Sequence, residues 1–260
     1  MKPFKLLFLI MLFSPAIVMA ESAEEKGLAI AQEADKRDTG FGDSKADLVM
    51  LLKNRHGEES TRYIRIKTLE VKEDGDKSMS IFDRPRDVKG TAFLSFTHKT
   101  GSDDQWLYLP ALKRVKRIAS RNKSGSFMGS EFAYEDISSQ EVEKYTYKYI
   151  NDEACGDADC FVVERVPVDE LSGYTRQVAW IDKKEYRPQK IVFYDRKNAL
   201  LKTLEYKGYQ QYLGQYWRAN EMYMENHQTG KTTLLTWTNY KFGNGLTSRD
   251  FDRNSLKRAR

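Results

Sequence analysis

The chain has 260 residues, 43 Lys and Arg against 38 Asp and Glu, and a formal net charge of +5. So mild a basic balance does not by itself point to nucleic acid. Ordinary Gly and Pro contents (16 and 6), beside 15 Tyr, 13 Phe and 4 Trp, argue against disorder and low complexity.

Lys2 and Lys5 open a targeting pattern. Leu6 to Phe13 is uninterrupted apolar sequence, Ser14 and Pro15 break it, and Val18-Met19-Ala20 sets small residues at the usual cleavage offsets. The apolar run is shorter than the ~20 residues of a spanning helix. The expectation is a signal peptide over 1–20, cleaved near Ala20, and a mature chain exported to the periplasm without a lipid anchor. Loss of Lys2 and Lys5 lowers the formal charge to +3. Residues 21–260 show no repeat, linker or boundary, and their length suits one large β domain.

Glu21 to Asp38 reads as a helix, with Ala23, Leu28, Ile30, Ala31 and Ala34 among polar residues. Thr39-Gly40-Phe41-Gly42 ends it. From Asp43 the pattern becomes strands and turns. Asp47 to Lys53 and the alternating Thr61 to Val71 flank a turn at Gly57, and Asp74-Gly75 turns the chain into Ser78 to Phe82. Thr91 to His98 and Gln105 to Leu109 are apolar on both faces, and a sheet of that kind needs cover on both. The Phe127–Met128 segment is the nearest candidate cover. Further on, Tyr145, Tyr147 and Tyr149 mark one face of a strand that returns as Phe161 to Val166. Hairpins continue through Tyr174 to Ile181, Gln189 to Tyr194, Leu200 to Tyr209, Gln215 to Glu225 and Lys231 to Phe242. About 10–11 strands at short spacing predict an antiparallel sheet of consecutive hairpins. Phe251 and Leu256 are anchors in an otherwise polar, basic tail.

Cys155 and Cys160 are the only cysteines. In an exported protein they are expected to form a disulfide across a small loop. No nucleophile elbow, P-loop or dinucleotide fingerprint occurs. None of His56, His98 and His227 has a partner at metal-ligand spacing. No enzyme, metal or cofactor is expected. Lys113, Arg114, Lys116 and Arg117, followed by Arg121 and Lys123, form a basic cluster. It reads equally as a dock for an acidic partner or anionic head groups, or as a charged edge that deters sheet-to-sheet aggregation. The export signal argues against nucleic acid. Gly125 to Asp136, GSFMGSEFAYED, reads either as a short helical lid with an apolar underside, its glycines giving freedom and Met128 an adaptable surface, or as a loop that plugs the end of the core.

At these residues the chain resembles a known family. DDQWLYLPALKRVKRI (Asp103 to Ile118) followed by GSFMGSEFAYED resembles the outer membrane lipoprotein-sorting protein family, which is LolA-like and periplasmic. The Asn54 to Arg62 turn and Phe82-Asp83-Arg84-Pro85 fit its pattern, and the match spans about Asp43 to Phe251. The resemblance implies a mainly β half-barrel, a strongly curved antiparallel sheet with helices over an apolar concave cavity that binds acyl chains. It implies no catalytic residues. The expected function is a periplasmic carrier, here a monomer, that takes a lipid or lipoprotein acyl chain from an inner-membrane exporter towards an outer-membrane acceptor. The alternative is an adaptor for such an exporter, docking through Lys113, Arg114, Lys116 and Arg117. The candidate cavity or lid residues are Phe93, Leu94, Phe96, Trp106, Tyr108, Phe127, Met128, Phe132 and Tyr134.

Overall fold

The computed structural model describes residues 21–258. The signal-peptide expectation lies outside them. Helix α1 (Ala23–Asp38) starts at a capping box in which Ser22 and Glu25 satisfy each other's backbone amides, with Glu24 and Glu25 in the first turn and Lys36 and Arg37 in the last.

The strands follow in chain order as β1 (Asp43–Lys53), β2 (Glu59–Leu69), β3 (Lys77–Arg84), β4 (Ala92–Phe96), β5 (Asp104–Leu109), β6 (Arg114–Ile118), β7 (Tyr145–Cys155), β8 (Ala158–Pro167), β9 (Tyr174–Asp182), β10 (Pro188–Asp195), β11 (Leu200–Lys207), β12 (Gln210–Tyr212), β13 (Tyr216–Arg218), β14 (Glu221–Asn226) and β15 (Lys231–Phe242). A four-residue helix α2 (Arg253–Leu256) ends the described chain. Thirteen strands form one antiparallel sheet in the order β6-β5-β4-β3-β2-β1-β15-β14-β11-β10-β9-β8-β7, while β12 and β13 make a separate two-stranded ribbon. The count exceeds the 10–11 read from sequence. The Lys/Arg-rich β6 hides its alternation, and β12 and β13 are three residues each.

The sheet is open, because β6 and β7 are opposite edges. It is also strongly curved. The β4–β5 and β8–β9 turns are nine strand spacings apart in that order, which is ~43 Å on a flat sheet at ~4.8 Å per strand. Yet Ser102 of the first turn lies 3.4 Å from the Asp169 carboxylate of the second. The two rims nearly meet, as in a half-barrel.

Consecutive strands β6 and β7 lie at opposite edges, so residues 119–144 must cross between the rims. The crossing segment packs into the concave side. Phe127 and Phe132, 2% and 1% exposed, join Met50, Phe82, Phe93, Phe193 and Met224 in one core cluster. The segment is not helical at its apolar tip. A tight turn runs from Phe127 to Ser130, with Met128 at φ 53° and Gly129 at φ 80°, closed by the Ser130 amide on the Phe127 carbonyl at 3.0 Å. Two positive φ values in succession define a hairpin turn of the primed type, which glycine serves at the second position. Short 3-10 turns follow at Tyr134–Asp136 and Val142–Lys144.

The opposite face of β3–β5 has its own cover. Met79, Leu94 and Trp106 pack with Phe251 and Leu256 of the C-terminal tail. A disulfide joins Cys155 and Cys160 across the β7–β8 turn.

Candidate functional site

A large open volume lies under α1. A cavity of about 780 Å³ separates the helix from the concave face, within the roughly 300–1,000 Å³ of small-molecule sites. Small side chains make the room. Ala31 and Ala34 share one helix face three residues apart, opposite Ala46 of β1 and Ala179 of β9. Ile66, Ile191 and Met222 are among the apolar residues that line it. The indole N–H of Trp237, on β15, is buried in this wall and has no hydrogen-bond partner among the described residues.

The helix is held tightly over this space. A Cβ on Gly27 would stand 2.7 Å from the Tyr149 amide nitrogen and 2.9 Å from Lys148 backbone atoms, so only glycine lets α1 approach β7 this closely. The Lys26 ammonium sits 3.5 Å over the Tyr149 ring. At the other end Arg37 donates to the Lys184 carbonyl at 2.8 Å, and Arg218 pairs with Asp38. Glu70 ties the loop after α1 to β2, accepting from the Gly42 amide at 2.9 Å and the Gly40 amide at 2.5 Å.

None of the nine candidate cavity or lid residues is among those that line this space. Phe93, Phe127 and Phe132 are buried in the concave core, with Met128 and Tyr134 packed against it. They fill their part of the concave side instead of leaving a gap. Leu94 and Trp106 face the other way, with Phe96 and Tyr108 packed beside them under Phe251 and Leu256. Alternation explains the split: Phe93 pairs with Leu107 on one face, and Leu94 with Trp106 on the other.

The crossing segment is latched, not loose. Lys202 of β11 donates to the Asp136 carboxylate at 2.6 Å and to the Glu131 carbonyl at 2.9 Å. Asp136 also accepts from Tyr174 Oη at 2.8 Å and from the Ala133 amide at 2.6 Å. Asn226 donates to Glu131 at 2.7 Å, and Arg62 to the Met128 carbonyl. The basic residues Lys113, Arg114, Lys116 and Arg117 are exposed on and just before the edge strand β6, where Arg117 pairs with Asp104 at 2.5 Å.

Sequence reasoning found α1 and its alanines but not the space beneath them. A helix face with Ala31 and Ala34 where larger apolar residues would normally seal the contact was the available signal.

An open, curled antiparallel sheet with a helix over its concave face defines a LolA-like fold. The structure of a LolA superfamily protein from Nitrosomonas europaea shares it, with a TM-score of 0.71 at 20% identity over 91% of this chain and 100% of that one. A crystal structure of a domain described as an outer membrane lipoprotein-sorting protein, from Vibrio parahaemolyticus, is 60% identical, covers 90% of this chain and 99% of its own, and has a TM-score of 0.89. A DUF1329 family protein from Desulfovibrio piger is 31% identical over 90% of this chain and 99% of its own, with a TM-score of 0.85. A family profile described as "uncharacterized protein" matches residues 74–258. No curated protein matches the chain. The chain belongs to the outer membrane lipoprotein-sorting protein family.

Proposed function

We propose that the protein is a periplasmic carrier that holds a lipid, or the acyl chains of a lipoprotein, in the cavity under α1 and moves it towards the outer membrane. Residues 21–260 act as one half-barrel unit once the signal segment is removed near Ala20. The observation that carries this reading is the cavity itself, about 780 Å³ between a helix and a concave sheet face that presents Ile66, Ile191 and Met222 to it. Each methylene moved there from water gains ~0.8 kcal/mol, so a cargo chain has reason to enter and remain. The relatives described as lipoprotein-sorting and LolA superfamily proteins support it. The carrier works as a monomer without a cofactor, receiving cargo from an inner-membrane exporter and passing it to an outer-membrane acceptor.

The test is native mass spectrometry of protein from a periplasmic extract, followed by denaturation. A lipid or acylated peptide released in near-stoichiometric amount is expected. A clean apo mass, together with no binding when a long-chain fatty acid is titrated, overturns the reading.

One observation favours a second role. The sheet ends in an edge strand with Arg114, Lys116 and Arg117 exposed, beside Lys113 and the 62% exposed Leu112. As an adaptor for an exporter the protein would dock there. Changing Lys113, Arg114, Lys116 and Arg117 to Glu then abolishes partner capture and leaves cargo binding intact; unchanged capture removes the adaptor role.

A further inference from the structure

The cavity wall has an acidic sector. Asp35 of α1, Glu70 at the end of β2, Asp76 before β3 and Glu141 in the crossing segment all line it, and among the described residues none forms an ion pair. Glu70 is occupied by the Gly40 and Gly42 amides, and Asp35 is exposed. The inner pair has little to hold. Asp76 accepts only long bonds, 3.3 Å from the Val71 amide and 3.4 Å from the Ser139 hydroxyl. Glu141 is 8% exposed and forms no ion pair; its carboxylate shares that Ser139 hydroxyl, with Asp35, Lys144 and Lys99 as the charges that act on it.

No cation of the neighbourhood pairs with this sector, although Lys99 and Lys144 lie near enough to act on Glu141 and the exposed Lys72 also lines the cavity. Lys99 donates to the Lys72 carbonyl at 2.9 Å, Lys144 pairs with Asp103, Arg37 pairs with Glu33, and His98 pairs with Asp74. Burial, Glu141 and Glu70 together push Asp76 up to about 7, and burial and Asp35 push Glu141 up. A carboxylate drawn out of water with no ion pair is costly. A pair of them facing a cavity is a place where that cost is relieved by something bound. A metal ion does not fit, since among the described residues no three acidic, His or Cys groups are close enough to hold one. The carboxylates come from separate elements, and an ammonium with several donors around one nitrogen answers separate acceptors.

We infer that the cargo carries a cationic amine on its apolar body, and that Asp76 and Glu141 receive this amine inside the cavity. This rests on the carrier reading and adds the head-group class. It runs against the protein's overall positive charge, +5 for the whole chain and +3 without the signal segment, which by itself favours anionic amphiphiles. A preference for amines therefore reports on the cavity and not on the surface.

The experiment is calorimetric titration at pH 8, where Asp76 is ionised, with dodecylamine, dodecan-1-ol and dodecanoate, each below its micellar concentration. Dodecylamine is expected to bind about ten-fold or more tighter than dodecanoate. The variant D76N/E141Q lowers dodecylamine to the level of dodecan-1-ol and leaves dodecan-1-ol unchanged; E141Q alone gives the same direction if the double variant folds poorly. Dodecanoate binding as tightly as the amine, or an amine preference that survives the folded variant, overturns the inference. If the alcohol and the carboxylate bind without amine preference, the carrier reading stands and the head-group assignment falls. If none of the three binds, both fall.

Discussion

The Lys202 ammonium lies 2.6 Å from Asp136 Oδ2, with both side chains almost completely buried between β11 and the crossing segment. Breaking one side of a buried pair costs ~3–5 kcal/mol, because the remaining charge is stranded. Lys202→Met is therefore expected to destabilise by about that amount in urea unfolding. Adding Asp136→Asn removes the stranded charge yet keeps an acceptor for the Tyr174 hydroxyl, so the double variant recovers part of the loss. Purely additive losses would show that the two groups do not act as a pair.

The concave side divides into a filled part and an open part, and substitutions separate them. Phe127→Ala and Phe132→Ala each remove a ring with no room to spare and should cost ~3–5 kcal/mol of stability. Their effect on cargo affinity should be small. Ala34→Phe fills the cavity from α1 and has the opposite profile, with stability near wild type and cargo affinity down by about ten-fold or more. Thermal unfolding and titration with a long-chain amphiphile, run on the same three variants, check this crossed pattern.

Gly27 sets the distance between α1 and β7. Gly27→Val puts a branched side chain where even a Cβ meets the Tyr149 amide nitrogen at 2.7 Å. The helix must lift from the strand. A lowered Tm and faster proteolytic cleavage within 21–42 are expected, with β-sheet circular dichroism retained. An unchanged cleavage rate would mean that the contact is easily remade.

Asp76 gives the stability a pH dependence of known sign. Its carboxyl is pushed up to about 7 in the folded protein, mainly by burial and by the nearby Glu141 and Glu70, from 3.8 in its absence. Between those values the unfolded chain has lost the proton and the folded protein keeps it. The folded state is thus favoured at the acid end, and this contribution fades as pH rises from about 4 to about 7. Asp76→Asn, which stays neutral, is expected to gain Tm relative to wild type across that window, with no further gain above it. Parallel melting curves at pH 4 and pH 8 would contradict the assignment.

The strands were legible because their side chains alternate, as Tyr145, Tyr147 and Tyr149 do on β7. The β6 edge was not, since Arg114, Lys116 and Arg117 mask a strand as a charged segment. Phe93 and Leu94 are equally apolar in sequence, and only strand pairing decides that one joins the concave core while the other meets the C-terminal tail. The cavity was hidden for a different reason. It is defined by what Ala34, Ala46 and Ala179 do not fill: the helix alanines are a local sign of it, but the share of Ala46 and Ala179 depends on two strands distant in sequence. Asp76 and Glu141 line the same cavity only because the crossing segment returns past the β2–β3 turn.

The strand order also fixes when the molecule can be finished. The middle of the sheet is the pairing of β1 with β15, the first and last long strands, where Leu48 meets Trp237. As the chain is synthesised, β1 has β2 on one side and bare backbone on the other until β15 is available. All other neighbours but β11 and β14 are consecutive strands and assemble locally. A truncation that removes β15 therefore leaves two separate hairpin stacks, each with a new central edge open to pairing with another chain, in place of a half-barrel lacking only its border.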